Sequence, residues 1–399
     1  MKKLYTILTL SLSLYAQTLQ ETIDYSLQNS YQLEILNEES EILAQQANIV
    51  STLKDPILKM GINDVQAVRP FSRNEEAMQN QFVAISQTLP TSNRLTISAE
   101  IERTKQRVTE EKKEIVQVNI AFAVRKAFIE AKSAKDNLQL LDAYIEFLKR
   151  PLGLIVNLSS VEKNSVEKYI KTELLQQSYR LQRERWLEDI EVAKERIELV
   201  GNMKVDDFFD APPRKEYHLA SLDELLIQLE MQSPELKKIV KEQEVAQRGV
   251  ALAEELKQPD VTVTGGYYQR FDRNDYVSLS LSFPLYMSEK KEQQKVQAMR
   301  RANIQAISYN QVKVQLEQGL KITLHQLKRT HQELAILQEN RLKIEKLIGN
   351  AKASLSVGGS LLHYFELFTQ KVNNALAIKK KELSIALREN QIDQLLGVI

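Results

Sequence analysis

The stretch YVSLSLSFPL, residues 276–285, decides how the rest of the chain is read. Val277, Leu279, Leu281, Phe283 and Leu285 share one parity, and Tyr276, Ser278, Ser280 and Ser282 the other. Strict alternation over ten residues is the signature of a strand with one apolar and one polar face. A partner strand at about 260–269 precedes it, across a short turn rich in Arg, Asn and Asp, so the two form a hairpin. A comparable pair lies about 200 residues earlier, at 57–68 and 81–90, with a longer polar loop between its strands. There Val83, Ile85 and Leu89 alternate with Ala84, Ser86 and Thr88.

Around these two hairpins everything reads as helix. The chain has 399 residues with only 11 Gly and 9 Pro, which favours long uninterrupted elements. Net charge is +1, from 54 basic and 53 acidic residues, so no overall field draws it to nucleic acid. Cysteine is absent, which excludes disulfides, thiolate metal sites, cysteine catalysis and lipidation at an N-terminal Cys. Lys2 and Lys3 precede an apolar run from Leu4 to Leu14, followed by Tyr15-Ala16-Gln17. That order of basic, apolar and small residues predicts an export signal over residues 1–16, cleaved after Ala16. No later run reaches the ~18–20 apolar residues of a membrane helix, so an exported chain that enters a membrane does so as strands.

Thr18-Leu-Gln-Glu21 predicts a capping box opening a helix that runs to about residue 54. After Pro90 a helix is expected from 91 to about 157. Its Ile120, Val124, Ala127, Ala131, Ala134, Leu138, Leu141, Ile145 and Leu148 step alternately by four and three, a coiled-coil seam. Some 67 residues of helix extend about 100 Å. A further helix over 161–200 continues the spacing with Ile190, Ala193, Ile197 and Val200. Residues 201–220 form a linker rich in breakers, whose Phe208 and Phe209 are expected to dock on some other part of the molecule. Then the pattern restarts. Ser221-Leu-Asp-Glu224, Leu236 and Pro259 repeat Thr18-Leu-Gln-Glu21, Leu33 and Pro56 at a spacing of 203 residues. A second rod over 286–352 carries Leu320, Leu324, Leu327, His331, Leu334 and Gln338 on its stripe, and a last helix spans 360–396. The chain divides into a signal (1–16), a first helix–hairpin–helix–helix repeat (17–200), a linker (201–220) and a second repeat (221–399).

Two hairpins supply four strands, too few to close a barrel, and an open sheet edge in a bilayer leaves backbone groups unsatisfied. Association of copies is the simplest remedy: three chains give twelve strands and two give eight. Val277, Leu279, Leu281 and Phe283 are then the lipid face and Ser278, Ser280 and Ser282 the lumen face, with Tyr267, Tyr268, Phe271, Tyr276 and Tyr286 as an aromatic girdle. Pro56, Pro90, Pro259 and Pro284 mark the junctions between strands and helices.

With these features in this order, the chain resembles the TolC family of bacterial outer-membrane efflux channels over essentially its whole mature length. The resemblance rests on the duplicated helix starts, on Gln232-Ser-Pro-Glu-Leu236, on Pro259, on Leu89-Pro90 and Phe283-Pro284, and on Val357-Gly358. It implies a mainly α fold with a small β part: a long antiparallel coiled-coil tunnel joined to a transmembrane β-barrel, four strands per chain, closed as a homotrimer. It further implies a location in the outer membrane, contact with its lipid, and helices in the periplasm. The partners it implies are a periplasmic adaptor and an inner-membrane pump, met at the inter-helix turns: Asn157, Ser160, Val357, Gly358, Gly359 and Ser360. The family's turns carry a Val-Gly motif in both repeats, whereas the first repeat here has Lys163-Asn164. An acid about six positions after that Gly constricts the mouth in some members; here the position is Tyr364, with Glu366 the nearest acid.

Catalytic chemistry has no motif behind it. There is no phosphate loop and no nucleophile elbow. Four histidines, His218, His325, His331 and His363, offer no metal-ligand spacing, because His325 and His331 six apart on a helix do not share a face. Mixed-charge runs such as Glu110-Glu111-Lys112-Lys113, and the short Lys379-Lys380-Lys381, read as solvated faces. Neither enzyme, cofactor nor metal is expected. The function expected is passive conduction of substrate out of a tripartite efflux or type I secretion system. The rival reading is a soluble periplasmic coiled-coil scaffold or adaptor, which would tolerate charge at Leu279 and Leu281.

Overall fold

The computed structural model describes residues 18–158, 163–208, 210, 212–355 and 360–399. The expected signal over 1–16, and Ser160, Phe209, Val357, Gly358 and Gly359, lie outside the described residues. In order, the elements are α1 (Leu19–Asn29), α2 (Tyr31–Ser51), β1 (Ile57–Asn63), β2 (Asn80–Leu89), α3 (Arg94–Leu158), α4 (Lys163–Gly201), α5 (Leu222–Gln232), α6 (Pro234–Glu255), β3 (Val261–Gln269), β4 (Tyr276–Ser282), α7 (Lys290–Leu355) and α8 (Leu361–Leu396).

The helix starts show how local chemistry sets these bounds. Thr18 accepts from the N–H of Glu21, whose carboxylate accepts from the Thr18 N–H at 2.9 Å, so the capping box closes. Asp210 of the linker accepts a further bond from the N–H of Leu19 at 3.1 Å. In the second repeat Ser221 occupies the same place without a side-chain cap bond. The single helix expected to run to residue 54 is two helices, because Ser30 takes an extended conformation, φ −75° and ψ 119°. Its counterpart Ser233 is bent likewise, and there Pro234 opens the next helix. A residue before proline is pushed out of the helical region and proline suits a first helical position, so that break is written locally. Tyr31 in the first repeat gives no such signal.

The chain falls into two compact units, and each draws on both repeats. One comprises the chain up to Glu34 with Glu114–Ser233 and Val314–Ile399. Its core is the expected seam: Val124, Ala127 and Ala131 of α3 are fully buried against Ala193 and Ile197 of α4 and against Phe208 of the linker. Phe208 meets Phe128 edge-on, centroids 5.0 Å apart. Gly201 lets α4 end against α1, since a Cβ there would lie 2.0 Å from Ser26 Oγ. A second seam joins Leu320, Leu324, Leu327 and Leu334 of α7 to Ile378, Ile385 and Ile392 of α8. Gln338, expected on that stripe, is exposed, and Leu337 packs in its stead.

The other unit, Ile35–Lys113 with Pro234–Lys313, holds the sheet. The hairpins are not isolated. β2 pairs antiparallel with β3 over nine residue pairs, giving one sheet in the order β1-β2-β3-β4. β1 stops at Asn63 rather than 68, because Asp64 takes φ 59° and the buried Gln79 then holds the loop, donating to Asp64 O at 3.0 Å. β4 stops at Ser282, so Phe283 and Leu285 follow the strand instead of belonging to it.

Candidate functional site: the two faces of the sheet

Register assigns every strand residue to a face, because directly opposed residues in antiparallel strands point the same way. One face is built of the rows Met60–Val83–Tyr267–Val277, Leu58–Ile85–Gly265–Leu279 and Val263–Leu281. Its apolar side chains are bare: Val277 is 78% exposed, Leu279 75%, Leu281 65% and Met60 71%. Phe283, just beyond β4, is 56% exposed. A contiguous apolar surface of this kind marks a site that some other apolar phase covers.

The opposite face is polar, then aromatic. Ser86–Thr264–Ser280 and Thr88–Thr262–Ser282 form two rows of hydroxyls, in which Ser86 bonds Thr264 at 2.9 Å and Thr88 bonds Thr262 at 3.0 Å. Next come Ala84, Gly266 and Ser278. Gly266 is needed there, since a Cβ would sit 2.8 Å from that of Ala84. The row beyond is a stack of rings, Phe82 on Tyr268 at 5.4 Å and Tyr268 on Tyr276 at 4.8 Å. Tyr268 and Tyr276 therefore belong to the polar face, not to a girdle around the apolar one. Their parity matches that of Thr262, Thr264 and Ser278, a signal present in the sequence. The same parity adds Ser86, Thr88, Thr262 and Thr264 to the serines first singled out.

Each of the four prolines lies between a helix and a strand: Pro56 after α2, Pro90 before α3, Pro259 after α6 and Pro284 before α7. Ion pairs fasten two of these crossings. Arg94 grips Asp260 through two bonds, at 2.9 and 2.8 Å, and Lys257 joins Glu292 at 2.6 Å. In the same unit, an open apolar groove of about 870 Å³ runs among α2, α3, α6 and α7.

At the far ends of α3 and α8 less is described. Asn157 is in the last turn of α3, and Ser360 caps α8 by accepting from the N–H of His363 at 3.3 Å. Tyr364 packs on Phe365 and Phe368, and Phe368 stacks on Phe147 at 3.9 Å, so this region is a cluster of rings. Glu366 is exposed, 3.9 Å from His363. Sequence reasoning gave no role to the linker's polar side chains, yet these tie it down. Lys135 pairs with Asp207 and donates to Phe208 O at 2.9 Å, while Asp393 of α8 receives Lys215 at 2.8 Å and the Tyr217 hydroxyl. Burial works to raise Asp207, but the Lys135 and Phe208 bonds outweigh it and hold its carboxyl below the ordinary range. Among the described residues no group of three or more His, Cys, Asp or Glu is placed to hold a metal, and no helix is long and apolar enough to cross a membrane.

No family model and no curated protein matches the chain. Solved structures do. The outer membrane protein VceC of Vibrio cholerae superimposes with a TM-score of 0.76 at 14% identity, over 95% of this chain and 96% of that one. The Campylobacter jejuni CmeC outer membrane channel gives 0.75 at 14% identity, over 95% and 85%. The open state of the Neisseria gonorrhoeae MtrE outer membrane channel gives 0.75 at 15% identity, over 95% and 89%. The chain thus has the fold of these outer membrane channels, mainly helical with a small antiparallel sheet of four strands.

Proposed function

We propose that this chain, having that fold, is the outer-membrane duct of a tripartite efflux or type I secretion system, working as a homotrimer without catalysis. The observation that carries the reading is the sheet: one bare apolar face, one hydroxyl-lined face, and outer edges of β1 and β4 that no strand covers among the described residues. In a bilayer such edges must be closed, and three copies close them as twelve strands. Val277, Leu279, Leu281 and Phe283 meet lipid, Ser278, Ser280 and Ser282 line the lumen, and the four prolines hand the barrel over to the helical tunnel. The helices flanking the open edges support the same closure. Ile35, Ile42 and Ile49 of α2 are exposed at heptad steps, and Val296, Met299 and Ile307 are exposed on one side of α7. Each is half a seam, and α7 of one copy suits α2 of the next.

The tandem repeat then supplies two quasi-equivalent wall segments per copy. The tunnel's far end, with Asn157, Ser160, Val357, Gly358, Gly359 and Ser360, is the docking place for a periplasmic adaptor and its inner-membrane pump. Tyr364, with Glu366 beside it, is the candidate constriction there. The mechanism is passive: the partners part the helices at that end, and substrate leaves through the hydroxyl-lined barrel.

Asp at both Leu279 and Leu281 tests the reading. A lipid-facing Asp near the bilayer middle is destabilising, though by less than the about 2–4 kcal/mol of Arg or Lys there, and two together should abolish heat-modifiable trimers in the outer-membrane fraction. Normal folding of L279D/L281D as a soluble periplasmic protein would sink the proposal and favour a scaffold.

A further inference from the structure

The linker carries a feature that conduction does not use. In the short turn Tyr217–Leu219, His218 lies face to face on His331 of α7, ring centroids 3.8 Å apart and planes within 18°. His218 Nδ1 and His331 Nε2 are both buried, with no hydrogen-bond partner among the described residues. Parallel rings aim their lone pairs side by side, so the pair does not converge on a metal. What it does well is remain stacked while neutral.

We propose that the His218–His331 stack is a proton-sensitive latch, which holds the linker on α7 at neutral pH and releases the 214–219 segment when the rings become charged. Two imidazolium rings at this separation repel, and burial of their nitrogens denies them water. The surroundings offer little relief. On the linker, Arg214 adds a third positive charge, and Lys215 and Tyr217 are both engaged with Asp393. From α3, Arg125 also approaches Asp393, at 4.0 Å. From α8 the remaining carboxylate is Glu389, which burial raises to about 7 despite Arg214 and the Lys215 N–H. Glu389 therefore loses its charge before His331 gains its own as pH falls, removing a counter-charge.

The sign follows. His331 is held below its ordinary 6.5 by burial first, then by His218 and Arg214. The docked state thus binds fewer protons than the released one, and docking weakens as pH falls below about 6.5. Glu389 titrates in the opposite sense, since burying it is easier once it is neutral, so the test must isolate the histidines.

The chain has no cysteine, which makes paired labelling specific. Spin labels at L219C and K328C, two exposed positions flanking the stack, report the linker–α7 distance in the full-length protein. At pH 7.5 a short, narrow distance is expected; at pH 5 it should lengthen and broaden. H331F and H218F keep a stacked ring without a titrating group, and each should remain short at pH 5. H331K places a fixed charge there and should give the long distance already at pH 7.5. A wild-type distance unchanged between the two pH values, or H331F and H218F lengthening as the wild type does, would overturn the latch.

Discussion

Leu327 on α7 and Leu281 on β4 are the same residue in equally regular patterns, yet the first is fully buried and the second 65% exposed. The helical seam finds its complement inside the chain, in the heptad of Ile378, Ile385 and Ile392 on α8. The sheet's apolar rows find none among the described residues. Periodicity reports that a face is meant to be covered; it does not report by what. The helices answer with their own chain, and in the proposed reading the sheet answers with lipid and further copies. The sharpest way to break this contrast is a matched truncation. Leu327→Ala opens a cavity and should cost about 2–5 kcal/mol, seen as a lower midpoint when helical signal is followed in denaturant. Leu281→Ala trims a side chain that is mostly exposed, and should change that midpoint by no more than about 0.5 kcal/mol. Equal losses would mean that the sheet face packs within the chain.

Glycines sharpen the same contrast at smaller amplitude. Gly201, on the helical side, has Ser26 where a Cβ would go, whereas Gly265, on the apolar face between Ile85 and Leu279, has nothing within 4 Å. Gly201→Ala therefore overpacks the α1–α4 contact and should cost about 1–3 kcal/mol. Gly265→Ala meets open space at a strand-compatible backbone, and should be neutral or stabilise by about 0.4–1 kcal/mol. Thermal midpoints of the two variants, measured side by side, check this.

Much of this contrast was legible in the sequence, and the gaps have physical reasons. The strand phases of Val277–Leu281, the seam from Ile120 to Leu141 and the capping box at Thr18 are local patterns, and local patterns survive without a partner in view. The break at Ser30 was hidden because the residue that would announce it is Pro234 in the second repeat and Tyr31 in the first. The sequence overstates β1 because Val68 continues the apolar pattern after Asp64 has already turned the chain. The β2–β3 pairing and the His218–His331 stack join residues far apart in sequence and carry no periodic signal. Tyr268 and Tyr276 are a different case: their parity placed them on the polar face, but their aromatic character suggested a girdle.

Acid separates the two regions with the smallest expected effect. The four strands contain no Asp or Glu, so protonation of carboxylates cannot weaken them directly. The helical part does depend on carboxylates. Asp207 is held below its ordinary 3.8, its bonds to Lys135 and the Phe208 N–H prevailing over burial. A depressed folded value means stability that is fully present above 3.8 and lost as pH falls through the lower folded value. The pair is part-exposed, Asp207 by 42%, so the contribution is screened to about 0.2–1 kcal/mol. Asp207→Asn should therefore lower the helical unfolding midpoint slightly at pH 6 and make its decline below pH 4 shallower, a window well apart from that of the histidine stack. If the helical midpoint of D207N falls below pH 4 as steeply as the wild type's, Asp207 is not among the carboxylates responsible. If strand signal is lost before helical signal in that range, the sheet depends on charges outside its own strands, and the division drawn between the two regions fails.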